Sequence, residues 1–136
     1  MIIKSQENAK QLVCFDGLYL TGRTGRKNVW PTDIDGFIQL DAENLFIFLE
    51  LKYKGDMKTG QSTALTRLAD AIGENSYVLL AVHDTQAPKP VLAKDAEVKR
   101  IYRGSMGWIE GHSVSVKRTV EHIVEARKEV LEAWRA

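Results

Sequence analysis

Residues 32–55, TDIDGFIQLDAENLFIFLELKYKG, constrain the fold of this chain more than any other stretch. Two apolar runs flank DAEN, whose Asp and Asn suit a turn because their short polar side chains bond the local backbone and tolerate left-handed φ. A hairpin closed by Leu40 and Leu45 places Ile34 opposite Leu51, Gly36 opposite Leu49 and Ile38 opposite Ile47, so one face is apolar throughout. A slip of one residue would turn every side chain to the other face and destroy that match.

On the opposite face the same register sets Phe37 against Phe48, then Asp35 against Glu50 and Asp33 against Lys52. Directly opposed residues have Cβ atoms about 5 Å apart, where two carboxylates repel by ~3 kcal/mol at an effective dielectric of about 20. Charge at the edge of a core needs a proton, a partner or a metal. One reading is an ion-pair cluster around Lys52. The other is a divalent cation, because Mg2+ takes one or two protein carboxylates and completes its shell with water and substrate phosphate oxygens. The lysine is then available to act on a water.

The remaining sequence supplies a cover for this hairpin. TGQSTALTRLADAIGEN brings Leu65, Leu68, Ala69 and Ile72 to helical spacing, with Gly73 as a stop. SYVLLAV reads as a strand covered on both faces, AEVKRIYR as an edge strand, and SVSVKRTVEHIVEARKEVLEAWR as a long helix. Its apolar stripe is Val116, Val120, Ile123, Val124, Val130, Leu131 and Trp134. The expectation is one α/β domain over 1–136: a central mixed sheet with an antiparallel hairpin core and helices on both faces.

Several function classes are disfavoured. The lone Cys14 offers no internal disulfide framework and no multi-cysteine zinc site. His83, His112 and His122 are too scattered for a His-metal finger. The longest apolar runs, LFIFL and YVLLAV, are too short to span a bilayer, and the N-terminus lacks the apolar core of a signal peptide, so a cytoplasmic protein without a membrane partner is expected. A formal net charge of +1 gives no global sign of nucleic-acid binding. Local clusters do occur, in GRTGRK (Arg23, Arg26, Lys27), KYKGDMK (Lys52, Lys54, Lys58) and KRIYR (Lys99, Arg100, Arg103), and each is either a solvated face or a phosphate contact.

An acidic residue on one strand, Glu-x-Lys in LELK on its neighbour, and a helix after it together resemble the PD-(D/E)XK nuclease superfamily, which has the restriction-endonuclease-like fold. The resemblance covers residues 31–72 and implies metal-dependent hydrolysis of DNA phosphodiester bonds, with branched DNA as a substrate in the manner of the small Holliday-junction resolvases. It implies that Asp35 (or Asp33) and Glu50 hold Mg2+ or Mn2+, that Lys52 orients or activates the attacking water, and that Gln61 stands near the site. Arg23, Arg26, Lys27 and Lys54 would contact the DNA backbone. Cutting both strands calls for two active sites, hence a homodimer. The alternative is a catalytically inactive nucleic-acid-binding or assembly subunit with the same fold.

Overall fold

The computed structural model describes residues 20–21, 28–29, 34–54 and 59–135. The chain divides into two compact units, Met1–Asp33 and Ile34–Ala136. In the first, strands β1 (Leu20–Thr21) and β2 (Asn28–Val29) pair antiparallel, Leu20 with Val29 and Thr21 with Asn28.

The second unit holds β3 (Gly36–Leu40), β4 (Leu45–Tyr53), α1 (Thr59–Ile72), β5 (Ser76–His83), a 3-10 turn (Ala93–Asp95), β6 (Glu97–Arg103), β7 (Gly107–Ser115) and α2 (Val116–Arg135). Its five strands form one mixed sheet in chain order, β3-β4-β5-β6-β7. β4 and β5 are parallel and joined by the α1 crossover; the other neighbours are antiparallel. The general α/β architecture is therefore the expected one.

The hairpin adopts the register that its alternation requires: Gly36–Leu49, Phe37–Phe48, Ile38–Ile47, Gln39–Phe46 and Leu40–Leu45. Asn44 takes the left-handed position of the turn (φ 54°) and donates its N–H to Asp41 O at 3.1 Å. Burial is uneven across the hairpin. Leu45, Ile47 and Phe48 are buried, whereas Ile34, Phe37 and Ile38 stay exposed, because β3 is an edge strand with a neighbour on one side only. Phe37 still stacks on Phe48, ring centroids 4.9 Å apart.

Strand parity separates two cores. Phe48, Val78 and Leu80 pack with Leu65 and Ala69 of α1. On the other face Ala81, Ala96 and Val98 pack with Val116 of α2, joined by Leu49, Leu51, Ile101 and Val120. β5 lies between the two helices, which explains its unbroken apolar run. Each fully buried Leu, Ile or Val contributes roughly 1.5–3 kcal/mol relative to exposure. At the far end of α1, the buried Ser76 hydroxyl lies 2.7 Å from Ala69 O and Gly73 O, carbonyls that also accept the Gly73 and Ser76 N–H groups, and so ties the helix end to β5. Gly104 is pressed against the same carbonyls, where a Cβ would collide with Ala69 O and Gly73 O.

Two sequence expectations change. β6 is an interior strand, because GWIEGHSVS forms a further strand, β7, outside it. The C-terminal helix begins only at Val116: Ser115 Oγ accepts the Arg118 N–H at 3.2 Å, the geometry of an N-cap, so Ser113 and Val114 belong to β7. The stripe of α2 also loses burial along its length, from Val116 at 5% exposure to Trp134 at 75%. No helix among the described residues is long and apolar enough to cross a membrane.

Candidate functional site

Along β4 the residues facing α1 are Phe46, Phe48, Glu50 and Lys52, so one face of one strand passes from core to charge. Glu50 and Lys52 are both half-buried, and neither is without a polar partner. Because α1 connects two parallel strands, it runs back along them from the Lys52 end. Gln61 occupies the helical position one turn before Leu65, toward that end; its side chain is outside the described set.

The ladder stops at Gly36–Leu49, one pair short of Asp35 and Glu50. Asp35 instead turns out of the strand, and its carboxylate accepts the Leu51 N–H at 2.7 Å. That amide points toward β3, where the carbonyl of Ile34 would have met it had the pairing continued. The side chain of Asp35 thus extends the sheet edge where its backbone leaves it, which ties the acidic residue to the strand that carries Glu50 and Lys52.

Asp33 lies outside the described residues, as do Arg23, Arg26 and Lys27; in the chain the three basic residues fall between β1 and β2. Lys54 follows the end of β4 in the left-handed region (φ 36°), with its N–H on His83 O at 3.0 Å and its ammonium 5.5 Å from the Tyr53 ring centroid.

A cleft of about 580 Å3 opens at this end of the sheet, lined by Lys54, His83, Asp84, Lys89, Asp95 and Glu97 among others. Parallel pairing produces it: Lys52 lies beside Val82 and Tyr53 beside His83, so two strands that end in charge end together. His83 Nδ1 accepts the Thr85 N–H at 3.2 Å, which leaves Nε2 to carry the ring proton. Glu97 pairs with Val82, hence shares the Lys52 face two strands away, at roughly 10 Å given a strand spacing of about 4.8 Å. The Ser113 hydroxyl and then Lys99, 3.0 Å away, hold its carboxyl below the usual range.

In the sequence His83 stands apart from the other histidines, and no motif marks Lys89 or Glu97. The available signal was YVLLAVHD, an apolar run ending in charge just as FIFLELK does. Only the pairing of the two runs brings those ends together.

Among the described residues no three His, Cys, Asp or Glu side chains group closely enough to hold a metal ion. Mg2+ needs no dedicated protein cage and takes one or two carboxylates with water; here Asp35 accepts the Leu51 amide through Oδ2, and Glu50 stands on the strand to which that amide belongs. No protein-family model, curated protein or solved structure matches the chain.

Proposed function

We propose that this chain is a Mg2+-dependent deoxyribonuclease of the PD-(D/E)XK type, with a restriction-endonuclease-like fold and a site built from Asp35, Glu50 and Lys52. One observation carries the reading: Glu50 and Lys52 continue the α1-covered face of β4, and the Asp35 carboxylate is bound to the same strand at Leu51. Bound there, Mg2+ would polarise the scissile phosphate and neutralise charge developing on it. Asp35 and Glu50 would hold the cation, with Asp33, two residues before Asp35 in the chain, as the other candidate ligand. Lys52 orients the attacking water and stabilises the pentacovalent transition state. Lys54, with Arg23, Arg26 and Lys27, contacts backbone phosphates. A homodimer would supply the two sites needed to cut both strands, and branched DNA is the substrate to try first.

The test is a cleavage assay with Mg2+ or Mn2+ on linear, nicked, branched and single-stranded DNA, run beside Glu50→Gln and Lys52→Ala. Metal-dependent cutting lost in both variants supports the reading; no cutting of any substrate overturns it.

One observation favours a second reading, a catalytically inactive nucleic-acid-binding or assembly subunit. The Asp35 carboxylate already serves as a backbone acceptor, a structural task that needs no metal. DNA binding that is indifferent to Mg2+ and to Glu50→Gln would select it.

A further inference from the structure

At the opposite end of the sheet lies a second groove, about 190 Å3, lined by Leu45, Tyr77, Arg103, Arg127, Val130 and Trp134 among others, with the exposed Glu74 its one acidic lining residue among the described residues. It contains two arginines, both half-buried, and neither forms an ion pair with a described residue. Each is held in the same manner. Arg103 donates Nε–H to Glu74 O at 2.8 Å, and its guanidinium lies 5.4 Å from the Tyr77 ring centroid. Arg127 donates Nε–H to Glu43 O at 2.8 Å and lies 5.9 Å from the Trp134 ring centroid.

Fixing a guanidinium through Nε and through its face removes its rotational freedom and leaves the Nη edge for a ligand. Planar Nη forks match phosphate oxygens bidentately, and two guanidinium charges are matched by a dianion, whereas a carboxylate ligand would match only one. The groove is well below the roughly 300–1,000 Å3 of a drug-sized pocket, so its occupant is small. Beside the arginines stand apolar Leu45 and Val130 and the exposed Trp134 indole, a surface for an organic group attached to the phosphate.

We infer that this groove is a binding site for a phosphate monoester, with Arg103 and Arg127 clamping the phosphate and Trp134 contacting its organic substituent. The inference does not depend on the nuclease reading, since the groove shares no residue with Asp35, Glu50 or Lys52.

The experiment is calorimetric titration of the full chain, without divalent metal, with phenyl phosphate, inorganic phosphate and phenol. Saturable one-to-one binding of phenyl phosphate is expected, with none for phenol. Arg103→Lys/Arg127→Lys keeps both charges and removes both forks, and should weaken binding at least tenfold. Trp134→Ala should weaken phenyl phosphate severalfold more than it weakens inorganic phosphate, because it removes the contact with the organic group in addition to the ring that holds Arg127. If the double variant fails to fold by thermal melt, Arg127→Lys alone is held to the same tenfold criterion. Absence of saturable binding, or a lysine variant binding within twofold of the parent, overturns the assignment. Titration with 5′-phosphorylated and 5′-hydroxyl dinucleotides distinguishes the sources: tighter binding of the phosphorylated dinucleotide than of phenyl phosphate marks a polynucleotide end, and the reverse order marks a small metabolite.

Discussion

Strand β4 has two halves of unlike character. Leu45–Phe48 is almost wholly removed from water, with Leu45 and Ile47 each at 1% exposure and Phe48 at 4%. Leu49–Lys52 is half-buried throughout and carries both charges of the strand. The first half has β3 on one side, β5 on the other and apolar neighbours above and below. The second half outlasts β3, so its edge is completed by the Asp35 carboxylate, and it runs toward an open cleft. The difference teaches that one strand can anchor a fold at one end and present chemistry at the other. The anchored half restricts where the charged half can point.

The largest expected effect breaks the anchored half. Ile47→Ala should cost about 2–5 kcal/mol of unfolding free energy, because it empties a site with little room to collapse. Urea denaturation checks this, and Glu50→Gln should move the same midpoint far less. Equal losses for the two would erase the contrast between the halves.

A smaller effect sharpens the contrast at the point where β3 ends. Asp35→Ala leaves the Leu51 N–H without its acceptor and should cost about 1 kcal/mol, the typical net value of one hydrogen bond. Asp35→Asn keeps an acceptor oxygen and should stay within about 0.5 kcal/mol of the parent. Asparagine nevertheless removes a metal-binding carboxylate, so on the nuclease reading this variant folds and does not cut. Thermal melts together with the cleavage assay separate the two tasks of Asp35. If Asp33→Asn is the inactive variant and Asp35→Asn cuts normally, the metal belongs on Asp33.

The smallest effect is a pH dependence at the cleft. Ser113 and Lys99 lower the Glu97 pKa in the folded chain, so the native state binds this proton less readily than the unfolded state does. That contribution is present above the ordinary carboxylate pKa of about 4.3 and is lost as pH falls through the range below it. Glu97→Gln should therefore flatten the decline of melting temperature between about pH 5 and pH 3. A decline as steep as the parent's would show that Glu97 is not held by these partners.

Much of this architecture follows from local rules. The hairpin register, the turn at Asn44 and the covering helix α1 each depend on alternation, turn chemistry or helical spacing within some twenty residues, all readable along the chain. From the α1 spacing, Leu65 and Ala69 are indeed buried, while Leu68 and Ile72 remain 40% and 38% exposed, because periodicity marks a stripe without saying how much of it the sheet will cover. The same limit applies to α2, whose stripe continues to Trp134 after burial has faded.

By itself, then, the sequence determined the pairing of β3 with β4, the placing of Glu50 and Lys52 on one face of a buried strand, and the α/β class. Tertiary structure alone decided that β6 is interior and β7 the edge, that Asp35 meets Leu51 through its side chain, and that His83, Lys89 and Glu97 join Lys54 around one cleft. The physical reason is range. A two-strand turn leaves its signature in adjacent residues, whereas parallel pairing across a helix, and the strand order that follows from it, is settled by burial summed over the whole sheet, which no short window of sequence contains.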